Sequence, residues 1–170
     1  MKTILSFIFI FFVSISFSQD VKLIELEVNK LYEQYSKKRN HVIKTRLELD
    51  TLAFCQLRYL ETLTDVNDIT HQNPDPKFKT FTMRVHNYFI NTMGESFSEV
   101  ISGSYKGNGN YIDEKSVAKV LFNALLGSPA HKKILDSRKF INYTFKSSRL
   151  ENGSFVLIGV FSSNEIFFWR

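Results

Sequence analysis

A chain of 170 residues with 22 Lys and Arg, 17 Asp and Glu and a single cysteine is long enough for one domain with a real hydrophobic core and too short for two ordinary ones once a leader is removed. One cysteine, Cys55, closes no intramolecular disulfide, so packing rather than a disulfide framework must hold the fold. The excess of positive charge is mild and the charges are spread through the sequence, which says little about partners and leaves room for anionic envelope polymers or lipid head groups; nucleic acid is disfavoured by the export that the N-terminus implies.

The first element is a leader. Lys2 is followed by an apolar, uncharged stretch from Ile4 to Phe17, broken only by Ser6, Ser14 and Ser16. That stretch falls short of the about 20 residues of a comfortable membrane span, and the Ser-Phe-Ser-Gln segment at 16–19 offers small residues to a signal peptidase. Residues 1–19 are expected to be a signal peptide and residues 20–170 the mature domain, with no transmembrane span left after cleavage. The destination is then the medium, the periplasm or the cell envelope.

Residues 21–36 place Leu23, Ile24, Val28, Leu31, Tyr32 and Tyr35 at spacings of three and four, the stripe of an amphipathic helix. Ser36 to Asn40, with Lys37, Lys38 and Arg39, reads as a solvated link. From about Leu49 to Leu63 the apolar residues occupy most sides of a helix, which predicts burial and makes Cys55 an inert packed thiol. Thr64 to Pro76 turns polar and proline-bearing, so His71 falls on a loop. Residues 78–101 have no clear period. Gly103 to Tyr111 is a loop by composition.

Val117, Val120, Leu121, Ala124 and Leu125 give the clearest helical stripe, with Asp113 as N-cap and Gly127 at the end. Ser128-Pro129 then restarts a helix, serine as cap and proline at the first position, carrying His131 in its first turn. The period changes to two after Ile141, and Glu151-Asn-Gly153 separates it from Ser154 to Phe161, a hairpin whose second arm is apolar on both faces. Glu165 to Trp169 is a candidate edge strand. Helices followed by antiparallel strands predict an α+β domain, a three-layer α-β-α sandwich with a small antiparallel sheet.

Phe122 to Leu135 resembles the signature of bacterial members of the CAP superfamily (cysteine-rich secretory, antigen 5 and pathogenesis-related proteins), in which a helix runs into Ser-Pro-Gly-His-Arg-x-Asn-Ile-Leu. Ser128, Pro129, His131, Ile134 and Leu135 match in register. Gly94-Glu95-Ser96 is similar to the family's Gly-Glu-Asn, Ile69-Thr70-His71 to the histidine after its second helix, and Gly153 to Phe161 to its penultimate strand. The departures are Leu125 for a usual tryptophan, Ala130 for glycine and Ser96 for asparagine, and the Gly-His-[Tyr/Phe]-Thr-Gln of eukaryotic members is absent.

The resemblance implies a cleft that gathers His71, Glu95 and His131. Two imidazoles and a carboxylate are the ligand set of some catalytic zinc sites, so His71 and His131 are expected metal ligands if a divalent ion binds. A helix N-terminus disfavours the imidazolium and keeps His131 neutral. His41 and His86 match no family position. There is no Gly-x-Ser-x-Gly, no phosphate-binding glycine loop and no His-Glu-x-x-His, so no nucleophile stands out. The favoured function is a module binding a lipid, glycan or peptide. The alternatives are a hydrolase of peptides or esters with Glu95 as general base, and a structural envelope protein with a relic pocket.

Overall fold

The computed structural model describes residues 21–89, 94–104 and 113–163. The expected signal peptide, the part of the expected loop at 103–111 that follows Ser104, and the candidate strand at 165–169 lie outside the described residues, as do residues 90–93; Gly103 and Ser104, expected in that loop, instead end a strand.

Helix α1 spans residues 21–37. It is followed by the two-residue strand β1 (Lys44–Thr45), helix α2 (Asp50–Leu60), helix α3 (Phe81–Tyr88) and strand β2 (Phe97–Ser104). Helices α4 (Glu114–Gly127) and α5 (Pro129–Leu135) come next, then strands β3 (Asn142–Arg149) and β4 (Phe155–Ser162). The four strands form one sheet in the order β1-β3-β4-β2.

The sheet is the middle of three layers because β4 is apolar on both faces. Its eight residues are all buried, and alternate side chains go to different cores. Phe155, Leu157 and Phe161 join Ile24, Val28 and Tyr32 of α1, Val117, Leu121 and Leu125 of α4, and Leu135 of α5. Val156, Ile158 and Val160 join Leu52, Ala53, Leu57 and Leu60 of α2 and Val85 of α3. Tyr32 closes the first core by setting its ring edge-on to Tyr143, Phe145 and Phe161, with centroids 4.9, 5.5 and 5.7 Å away, the arrangement that aromatic quadrupoles favour.

The expected antiparallel pair is present: Asn142 pairs with Ser162 and Arg149 with Phe155. The turn between them is held by Gly153, whose φ of 82° is left-handed, and by the Asn152 side chain, which accepts from Ser154 N at 2.9 Å. The sheet is nevertheless mixed and not purely antiparallel, because β1 pairs parallel to β3 through Lys44 and Asn142. A two-residue strand carries too short a pattern to be read from sequence.

Two apolar faces are also rotated from expectation. On α4, Val120 is exposed and Ala124 lies in solvent, while Ala118 and Phe122 are buried. Both stripes share Val117, Leu121 and Leu125, and the larger phenyl ring takes the core. On α2, Phe54 stands 45% exposed under the Lys146 ammonium, 5.4 Å from its ring centre, so this helix has a solvent side after all. The undecided stretch 78–101 contains helix α3 and then the first five residues of strand β2, two periods in succession.

Candidate functional site

The site starts from a buried arginine. Helix α3 is capped by Thr80, whose hydroxyl accepts from Met83 N at 3.2 Å, and it carries Arg84 inward with a fully buried side chain. A guanidinium in that position requires a partner. Glu99, in β2, supplies it: Arg84 Nη2 donates to both Glu99 oxygens at 2.8 Å, and the carboxylate is only 2% exposed. Arg84 also donates to the carbonyls of Phe78, at 3.1 Å, and His71, at 3.3 Å.

His71 is held from three sides. The fully buried Gln56 of α2 donates to the carbonyls on either side of it, Thr70 at 2.8 Å and Gln72 at 3.2 Å. Arg84 holds its own carbonyl. Its ring Nδ1 lies 2.9 Å from Glu99 Oε1, and because that carboxylate already accepts from Arg84, the imidazole is the donor. This bond selects the tautomer with the proton on Nδ1, leaving Nε2 of the neutral ring as an acceptor. The His71 side chain is 48% exposed, so it is fixed at its base and open at its tip.

His131 arrives from the opposite layer. Ser128 caps α5 by accepting from His131 N at 3.5 Å, and Pro129 opens the helix. The two imidazole rings stand 5.8 Å apart, centre to centre, at 60°. Burial pushes the His131 pKa down, and the neighbouring His71 adds to the shift. The expectation of a neutral His131 rested on the helix dipole; burial is the larger cause in the fold.

Glu95 is half-buried, and burial raises its pKa. One of its carboxylate oxygens is enclosed without a hydrogen-bond partner among the described residues, and neither imidazole bonds to it. The carboxylate joined to His71 is Glu99, which sequence reasoning passed over. A charged residue inside the run Phe97-Ser-Glu-Val-Ile101 was the available signal, since a charge in an apolar strand implies a buried partner.

Among the described residues, the side chains at the histidine pair do not by themselves supply a full set of zinc ligands. Catalytic zinc sites take three protein ligands, and both oxygens of Glu99 are engaged by Arg84. Among the described residues no group of three His, Cys, Asp or Glu side chains is disposed to hold a metal. The arrangement can instead orient two imidazole edges toward a hydrogen-bonding ligand or a water. Cys55 is half-buried, and burial raises its thiol pKa, which suits an inert side chain.

No protein-family model matches the chain, and no curated protein matches it. Among solved structures the chain is similar to an outer surface protein from Borrelia burgdorferi, with 18% identity, a TM-score of 0.58, and coverage of 86% of this chain and 94% of that one. At that identity the likeness is one of fold. No helix among the described residues is long and apolar enough to cross a membrane.

Proposed function

We propose that the chain is an exported ligand-binding domain, a divergent relative of the CAP superfamily, whose recognition cleft lies between His71 and His131. The observation that carries this reading is the facing pair of imidazoles, one of them oriented by a buried Glu99–Arg84 pair. Two rings with open edges suit a ligand rich in hydroxyl or amide groups, a glycan or a peptide, better than an acyl chain. The apolar, uncharged stretch near the N-terminus and the fold shared with an outer surface protein support an envelope or extracellular setting. Titrating N-acetylglucosamine oligomers and short peptides into the protein while following the ring nitrogen resonances of both histidines tests the proposal. One class should shift both rings saturably, and His131→Ala should remove the shift. Calorimetric binding of the same ligand that survives in His71→Ala/His131→Ala would place the ligand elsewhere.

A second reading, hydrolysis, is favoured by one observation, the carboxylate-oriented tautomer of His71, which leaves Nε2 as a base toward water. In that reading His71, not Glu95, is the general base. Ester hydrolysis that falls in both His71→Ala and Glu99→Gln supports it; rates equal to buffer in the wild type remove it.

A further inference from the structure

The lysine-rich turn after α1, which the sequence alone makes a solvated link, has neighbours in the fold. Arg39 Nη1 lies 3.1 Å from Asp136 Oδ1, just past the end of α5, and Arg39 Nη2 donates to the Asp136 carbonyl at 3.3 Å. Arg138 in turn donates to the Arg39 carbonyl at 3.2 Å. Lys132 pairs with the other Asp136 oxygen at 2.7 Å. These bonds bring Lys37, Lys38 and Arg39 together with Lys132, Lys133, Arg138 and Lys139, all seven exposed.

The single acid among them, Asp136, is already engaged by Arg39, Lys132 and the Tyr35 hydroxyl. The cluster therefore carries a formal net charge of +6 out of a whole-chain value of +5, and the remaining 15 cations and 16 acids sum to −1. The excess of charge that composition presents as mild and spread is thus matched in size by these two adjoining segments, the rest of the sequence, undescribed residues included, being nearly balanced. Val42, three residues past Arg39, is 76% exposed and Ile141, two past Lys139, is 39% exposed, and the two segments run side by side just beyond, since Lys44 N donates to the Ile141 carbonyl at 2.7 Å.

We propose that the face carrying this cluster docks the domain peripherally on an anionic phospholipid bilayer. Clustered cations are drawn to the negative surface potential of such a bilayer, and exposed apolar side chains beside them suit the head-group boundary, which a soluble polyanion does not offer. The proposal does not depend on the histidine cleft, which uses other side chains.

The test is co-sedimentation of the full chain with vesicles of phosphatidylcholine alone and with about one third phosphatidylglycerol. The comparison variant is Lys37→Gln/Lys38→Gln/Lys133→Gln/Lys139→Gln, at lysines that make no ion pair among the described residues. Both proteins carry the same N-terminus, so its apolar stretch contributes equally. Wild type should bind the anionic vesicles, lose binding as salt rises above about 0.1 M, and exceed the variant by more than about tenfold, each surface cation being worth about fivefold. A control, Lys77→Gln/Lys79→Gln/Lys115→Gln/Lys119→Gln, makes the same change in net charge elsewhere and should bind like wild type. Equal binding by wild type and the first variant, or no binding to anionic vesicles, overturns the proposal. Binding to dextran sulfate without binding to vesicles also overturns it, in favour of a soluble polyanion.

Discussion

Breaking the Arg84–Glu99 pair should cost far more than removing both of its members. Arg84 is fully buried and Glu99 nearly so, joined by two contacts of 2.8 Å. Glu99→Leu leaves a guanidinium whose remaining acceptors are the carbonyls of His71 and Phe78, and its Nε already has no partner among the described residues. An uncompensated charge of this kind costs about 3–5 kcal/mol. Arg84→Met leaves the converse, a carboxylate with His71 as its remaining partner, and should cost a similar amount. For a domain with about 5–15 kcal/mol of total stability, either loss is large.

In Arg84→Met/Glu99→Leu both desolvation costs disappear, and an apolar pair of similar volume can even be stabilising by about 1–4 kcal/mol. The double variant should therefore be more stable than either single one. Urea unfolding followed by circular dichroism measures all four proteins, and the coupling energy from the cycle is the quantity that decides. Single losses below about 1 kcal/mol, or strict additivity, would refute the claim that these two charges stabilise each other in a dry interior. The His71 resonance gives a second readout, because Glu99→Leu removes the carboxylate that selects its tautomer.

Gly159 lies in β4 where an added Cβ would come within 2.5 Å of Phe145 Cε1 and 2.8 Å of Val100 Cγ2, so Gly159→Ala should overpack the first core and cost about 1–3 kcal/mol by urea melt. Leu121→Ala, at a fully buried position, should cost about 2–5 kcal/mol, and a loss within surface scatter would contradict the placement of α4. Burial and His71 lower the His131 pKa, and burial lowers that of His41. The unfolded chain therefore binds more protons than the folded one below about pH 6.5, and the stability these two groups contribute at neutral pH is lost as pH falls from there through their folded pKa values. Nuclear magnetic resonance titration should find His131 below its ordinary value and, in His71→Ala, only partly restored, since burial is the larger cause; full restoration would reverse the order of causes.

What the sequence made legible was local. Ser128-Pro129 marks a helix start by side-chain capping and a fixed φ, and Asp113 caps α4 by accepting from Ser116 N at 2.7 Å; both signals lie within three residues of what they cause. Alternation after Ile141 likewise reports a hairpin whose partners are close in the chain. Arg84 and Glu99 were opaque for the opposite reason. Each breaks the pattern of its own element, a cation on the buried side of α3 and an anion inside β2, and only their meeting across 15 positions makes either acceptable. The same holds for the basic face, whose halves are joined by the contact between Arg39 and Asp136, 97 positions apart.

The sheet order explains why the two histidines can meet at all. Strand β2 pairs with β4 alone among the described strands, so it is an edge. Ile69, just before His71, packs with the core on the α2 and α3 side, whereas Ile134 and Leu135, just after His131, pack with the core on the α1 and α4 side. Rings from opposite layers that stand 5.8 Å apart meet beside the sheet and not through it, because a continuous sheet keeps the side chains on its two faces apart. Glu99 sits on this strand, so the residue that satisfies the buried arginine also orients the His71 ring. The separation of the rings then depends on how α5 packs against β2, and a substitution at Leu135, buried at the end of α5, should widen the histidine pair without touching either ring.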